Sequence, residues 1–367
     1  VKRAVGYFIA TAVAILALAP PEKIRLWCTV NSTVWRWSSL MAGFLAFMFV
    51  FTRANIWIKL IVVYAYINCF LSRAPYLSFT IYLSVIVCAY LYLLCFSMEW
   101  EPIFNTIQSL FMLSFLLIIM QALKKDTLLN FGRDEAVVFG SIFNSMLLAS
   151  YITCLTPFLL IRNKLYIVPV LIIAVMSRSS GMVLSLAAGV IFYSFFKIRN
   201  KIAYIAVVMV LILGMLTYAY HDKQFDKFFK GRAARWPVWV KTVQLVNENP
   251  YSGWGIGTYK ILFPVLSGQM IEESGEKHTW MRAHNDWVQF PFELGYVGFA
   301  FVLGLVGYLM WLFKRAIKTE PIILSMTGLV IYGSNMMVHF PGRLTQSVLI
   351  LLCFLAYFEQ LLKKRGA

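Results

Sequence analysis

Arg282-Ala283-His284-Asn285-Asp286 sets an imidazole beside an arginine and an amide, immediately before a long apolar run. Asn285 or Asp286 can N-cap the helix that this run implies. The positive end of that helix disfavours imidazolium, which helps keep His284 neutral and able to accept a proton. A neutral histidine among arginines at a water–lipid boundary suits general-base chemistry. The plainer alternative is a structural histidine. The other three histidines, His221, His278 and His339, have no comparable surroundings in the sequence.

Two further arginine clusters suit an anionic substrate. Arg178 stands in Met-Ser-Arg-Ser-Ser-Gly (176–181) at the start of an apolar span. Free helix N–H groups, the helix dipole and a guanidinium together make a phosphate site. The alternative there is a snorkelling arginine in a short connector. Gly231-Arg232-Ala233-Ala234-Arg235-Trp236-Pro237 carries two more. Pro237 suits a first helical turn, and Trp236, Val240, Val243 and Val246 recur on one face. The expectation is an amphipathic helix on the membrane or on the bundle. It would start at Arg232 and Arg235 and end near Asn249-Pro250. A solvated basic helix end is the alternative.

Between these clusters lies Asn249-Pro-Tyr-Ser-Gly-Trp-Gly-Ile-Gly257, with glycine at three alternate positions. Such spacing permits positive φ and close backbone approach. It lacks the lysine of a phosphate-binding loop and the strand–helix context of a dinucleotide fingerprint, so a tight turn is the simple reading. Glu293 follows one to two turns into the next span, with Pro291. An acid at that depth is either functional or the counter-ion of an arginine.

These residues need a membrane scaffold around them. The 367 residues are 60% hydrophobic and only 13% charged, well under the ~25% of soluble domains. About twelve spans of the usual length can be drawn. The first follows Val-Lys-Arg and ends at Ala19-Pro20-Pro21 without a convincing cleavage site, so it reads as a retained helix. The net charge is +17. Its lysines and arginines sit mainly in short connectors, the positive-inside pattern, which argues for a lipid bilayer around the chain and against nucleic acid as a partner. The six cysteines show no CxxC or metal-ligand spacing.

The expected fold is an all-α polytopic membrane protein. Residues 1–218 form an N-terminal bundle of about nine helices, 219–285 an extramembrane loop, and 286–367 a C-terminal bundle of about three. The basic termini and the basic 197–201 and 313–319 connectors go to the cytoplasm. Arg178, the loop and the His339–Arg343 connector then share the opposite face.

The order Ser-Arg, Gly-Arg-x-x-x-Trp, Asn-Pro-x-x-Gly-x-Gly, Ala-His-Asn-Asp and Glu-Leu-Gly-x-x-Gly (Glu293–Gly298) resembles the O-antigen ligase and polymerase superfamily. Those are bacterial inner-membrane glycosyltransferases of the GT-C type, with about twelve helices and a large periplasmic loop before the last three. The resemblance covers Arg178 to Gly298. It implies a glycan donor on undecaprenyl pyrophosphate, and an acceptor that is lipid A–core or another glycan. It assigns leaving-group stabilisation to Arg178 and Arg232 and acceptor activation to His284. Arg235, Arg282, Asn285 and Arg343 become supporting substrate contacts. No cofactor or metal is implied, and direct displacement would invert the anomeric carbon. Ligase and polymerase share this donor chemistry; the close match of the histidine motif and the two arginines favours the ligase. Protein O-glycosylation remains a third branch. A transporter or flippase is the reading from another class, against which stands the crowding of polar groups into one loop.

Overall fold

The computed structural model describes residues 32–97, 99–122, 145–177, 179–221, 224–267, 280–339, 341–343 and 345–363. Among these, all regular structure is helical: α1 (Ser32–Val50), α2 (Ile56–Leu71), α3 (Pro75–Ser97), α4 (Trp100–Ala122), α5 (Ser145–Arg162), α6 (Ile167–Ser177), α7 (Ser180–Lys197), α8 (Lys201–His221), α9 (Gln224–Glu248), α10 (Tyr259–Leu266), α11 (Asp286–Arg315), α12 (Glu320–Met336) and α13 (Thr345–Lys363). Short 3-10 turns at Lys164–Tyr166 and Pro341–Arg343 precede α6 and α13. Among the described residues four stretches are long and apolar enough to cross a membrane: Pro75–Phe96, Trp100–Gln121, Ser180–Lys197 and Asp286–Arg315. Several shorter apolar helices accompany them, and the described residues are those of a helical membrane protein.

The contacts divide the chain into two units that interleave along the sequence. One takes Val1–Cys95 with Ala234–Lys314, the other Phe96–Ala233 with Arg315–Ala367.

In the second unit α12 packs chiefly against α7 and α5. The Asn335 amide donates to the Ser150 carbonyl and hydroxyl, at 3.1 and 2.9 Å. Phe158 of α5 stacks on Phe354 of α13 with ring centroids 3.9 Å apart. At one end Glu320 accepts from Lys164 (2.8 Å) and from the Tyr193 hydroxyl (2.9 Å), and pairs with Lys197 at 3.6 Å. An apolar cavity of about 370 Å³ lies among Leu160, Leu171, Val183, Leu186 and Ile331.

In the first unit a break in α11 organises everything that matters for the site. Gly295 has φ 67° and ψ 178°, so the first helical segment stops there and the span resumes beyond it. Carbonyls exposed by such a break need donors. The glycine turn supplies them: Trp254 N donates to Phe292 O (2.8 Å) and Gly255 N to Glu293 O (2.9 Å). In return Tyr296 N donates to Pro250 O at 2.7 Å. From α2, the Tyr64 hydroxyl donates to Leu294 O and Tyr251 O. The Asn68 amide donates to Ser252 O (2.6 Å), while its oxygen accepts from Ile256 N (2.8 Å).

Gly253, Gly255 and Gly257 all take positive φ, as their alternate spacing suggested. A methyl on Gly253, at φ +64°, would run into the amide nitrogen of Gly295. Neither backbone can yield without losing the hydrogen bonds above. Gly253→Ala is therefore expected to cost at least ~2 kcal/mol, read as a lower melting temperature in detergent.

The amphipathic helix starts earlier than expected. It begins at Gln224, so Pro237 lies inside it and Arg232 and Arg235 are not at its N-terminus. Neither arginine therefore sits at the positive end of the helix dipole. The buried face is Val238, Thr242, Leu245 and Val246, whereas Trp236, Val240 and Val243 are exposed. The helix is apolar on two sides, and of the face read from the spacing Val246 is buried within this unit.

Candidate active site

α9, α10, the segment 280–285 and the start of α11 close around one apolar cluster. Val238, Leu245, Val246, Tyr259, Phe263, Ala283 and Phe292 are its buried members. Tyr259 stacks on Phe263 at 4.7 Å and meets Phe292 edge-on at 4.9 Å. Its hydroxyl lies 2.9 Å from that of Thr242 on α9. Stacked and edge-on rings of this kind fix both distance and orientation. The cluster thus anchors an irregular segment that has no regular structure of its own.

Ala283 is pinned on both sides of its backbone. The Trp239 indole N–H donates to its carbonyl at 2.7 Å, and its amide donates to Gln289 Oε1 at 3.3 Å. The next residue, His284, has φ 53°. Among the described residues it alone takes positive φ without being glycine. An L-residue there costs about 1–2 kcal/mol, and such strain persists where the surroundings over-determine it. α11 then begins at Asp286, two residues after the histidine, where the sequence indicated a span start. Asn285 fills the cap position through its backbone, its carbonyl accepting from Val288 N and Gln289 N. Its side-chain oxygen does not cap: Oδ1 is buried and accepts no hydrogen bond among the described residues.

The His284 ring is half-buried, and Trp280 meets it edge-on at 6.1 Å. Burial is the main reason that its titration is pushed down to about 4, and Arg235 and Arg282 add to the effect by penalising imidazolium. Burial also lowers the Arg235 titration from its usual value. At neutral pH the imidazole is uncharged and the two guanidiniums are the cations around it. The sequence attributed the neutrality of His284 to the helix dipole; desolvation and two arginines account for it here.

Glu293 is neither loose in the apolar layer nor set out for proton exchange. It is buried, with Oε2 accepting from Gly257 N (2.7 Å) and Oε1 from Gln289 Nε2 (2.9 Å). Its carboxylate thereby ties the glycine turn to the helix that follows His284.

Of the arginines assigned from the sequence, Arg235 and Arg282 come together with His284. Arg178 lies outside the described residues. Arg232 falls in α9 and Arg343 in the 3-10 turn before α13, and of these two only the backbone is described. In the second unit the flanking Ser179 caps α7, accepting from Met182 N at 3.3 Å. His339, which the sequence gave no reason to single out, is buried with Nε2 3.5 Å from the Ser179 hydroxyl. Gly181 makes room for it, since a methyl there would overlap the ring. The only signal for this contact was the common side of the membrane assigned to the two connectors.

A comparison with curated proteins returned no match. Residues 165–303 match the family model described as O-antigen ligase. That segment takes in Arg178, Arg232, the glycine turn, His284 and the break at Gly295, and stops short of His339 and Arg343. Over that segment the chain is similar to the O-antigen ligase and polymerase superfamily, in agreement with the motif order read from the sequence.

Proposed function

We propose that this chain is an O-antigen ligase. It transfers a glycan from undecaprenyl pyrophosphate to lipid A–core at the periplasmic face of a bacterial inner membrane, within a fold of about twelve spans. The observation that carries the reading is His284, held in a strained turn and kept neutral by burial and by Arg235 and Arg282. A base of this kind accepts the proton of the acceptor hydroxyl as its oxygen attacks the anomeric carbon. One carbon–oxygen bond forms and the bond to the lipid pyrophosphate breaks on the opposite side, inverting the centre. The leaving group departs with the bond's electron pair, and cations offset its growing charge. Arg178 and Arg232 take that role by resemblance. Arg235 and Arg282 contribute to it from beside the base, and Arg343 is a further substrate contact. The donor carries its own activated bond, so the reaction calls for no nucleotide and no metal.

Two other features agree with these substrates. The buried Asn285 Oδ1 supplies an acceptor next to the base, suited to orienting a sugar hydroxyl. The apolar cavity of the second unit has the chemistry of a site for a polyprenyl chain.

The test uses purified protein in detergent with undecaprenyl-pyrophosphate-linked glycan, and with lipid A–core, an acceptor protein or no acceptor. Glycan on lipid A–core is the expected product. Longer lipid-linked chains in the tube without acceptor would make the protein a polymerase instead. Transfer to a protein acceptor alone would move it to the protein O-glycosylation branch. Folded protein that yields no product from a donor bearing the host's own glycan would favour a transporter or flippase.

A further inference from the structure

Three hydrogen bonds in the first unit form a chain with a direction. Ala283 N donates to Gln289 Oε1, Gln289 Nε2 donates to Glu293 Oε1, and Gly257 N donates to Glu293 Oε2. Both ends are backbone donors. A carboxamide can pass the chain on, because it offers one acceptor and one donor. Somewhere along it, however, one group must accept on both sides, and only a carboxylate does so. Gln289 and Glu293 are both almost fully buried, and leaving a buried donor unmatched there would cost ~1–3 kcal/mol. With both carboxylate oxygens engaged by donors, Glu293 is poorly suited to be a base itself. Its partners are the turn at one end and, at the other, the residue that precedes His284.

We propose that Gln289 and Glu293 are positioning residues. Their hydrogen-bond chain couples the glycine turn to the backbone of Ala283, holds His284 in its left-handed conformation, and keeps the imidazole between Arg235 and Arg282 in reach of the acceptor hydroxyl. The catalytic half of this statement rests on His284 being the base; the geometric half does not. The cations that act on His284 are Arg235 of α9 and Arg282, and the acids in the first turns of α11 are Asp286 and Glu293.

The chain's direction supplies its own test. Gln289→Glu sets two carboxylates against each other. Glu293→Gln leaves more donors than acceptors, whichever way the amides turn. The double exchange Q289E/E293Q satisfies every group again: residue 289 then accepts from Ala283 N and from the new amide, whose oxygen accepts from Gly257 N. Two readouts are made on the full chain in detergent. The first is carbethoxylation of His284 against pH, followed by mass spectrometry. The second is transfer, with kcat and donor KM separated.

Each single exchange is expected to raise the apparent titration of His284 by about one pH unit, as the ring leaves its buried place beside the arginines. Each should lower kcat about a hundredfold with donor KM little changed. The double exchange should restore both. A single variant too unstable to purify still reads the pairing if the double variant is recovered folded. Singles that titrate like the wild type, or a double no better than the singles, would overturn the proposal. Titration that responds while kcat does not would leave the chain as the device that holds His284 and would overturn its assignment as base.

Discussion

Transfer by His284→Asn is expected to fall by about 10²–10⁴-fold, with the protein still folded. Asparagine is the sharper probe at this position. The residue sits at φ 53°, a region that asparagine tolerates better than most side chains, so the turn keeps its conformation while the basic nitrogen is removed. His284→Ala removes the same nitrogen and adds backbone strain, so its melting temperature should lie below that of His284→Asn. Equal loss of transfer by the two variants, despite unequal stability, would place the defect in chemistry and not in folding. An asparagine variant with near-wild-type kcat would remove His284 from the reaction.

Where the sequence was legible, the determinants were local. The helix that begins at Asp286, the last residue of the histidine motif, and the positive φ of the three alternate glycines follow from residues within a few positions of each other. So does the end of α9 at Glu248, next to Asn249-Pro250. What escaped depended on distant partners. The run around Phe292-Glu293-Leu294-Gly295 reads as one uninterrupted span, because the donors that stabilise its break come from Trp254 and Gly255, some forty residues earlier. The role of Glu293 was hidden for the same reason, its partner being the Gly257 amide. Pro237 misled on α9: an interior proline costs roughly 3 kcal/mol, but here Val238, Leu245 and Val246 bury their side chains just beyond it and offset that cost. His339 meets Ser179 across 160 positions, and nothing near either residue announces the other.

Arg235→Ala combined with Arg282→Ala is expected to move two measurements in opposite directions. Transfer should fall by about a thousandfold, the scale of losing cations that face developing negative charge. The titration of His284 should meanwhile rise from about 4, since two cations no longer oppose imidazolium. The rise will be partial, because burial is the larger cause and is left in place. The same reasoning gives the wild-type enzyme a dependence on its donor. A pyrophosphate bound beside the arginines supplies negative charge, which favours imidazolium and raises the basicity of His284. The neutral imidazole is the active form, so activity is lost as pH falls through its titration. The acid limb of kcat/KM reports the free enzyme, and that of kcat the donor complex. The kcat limb should therefore lie at higher pH than the kcat/KM limb in the wild type, and the two should converge in the double variant. Inorganic pyrophosphate should likewise raise the carbethoxylation titration of His284 in the wild type and leave it unchanged when both arginines are gone. Coincident limbs in the wild type, with no response to pyrophosphate, would separate the arginines from the donor anion. A base strengthened by its own substrate is poised only once the leaving group is in place.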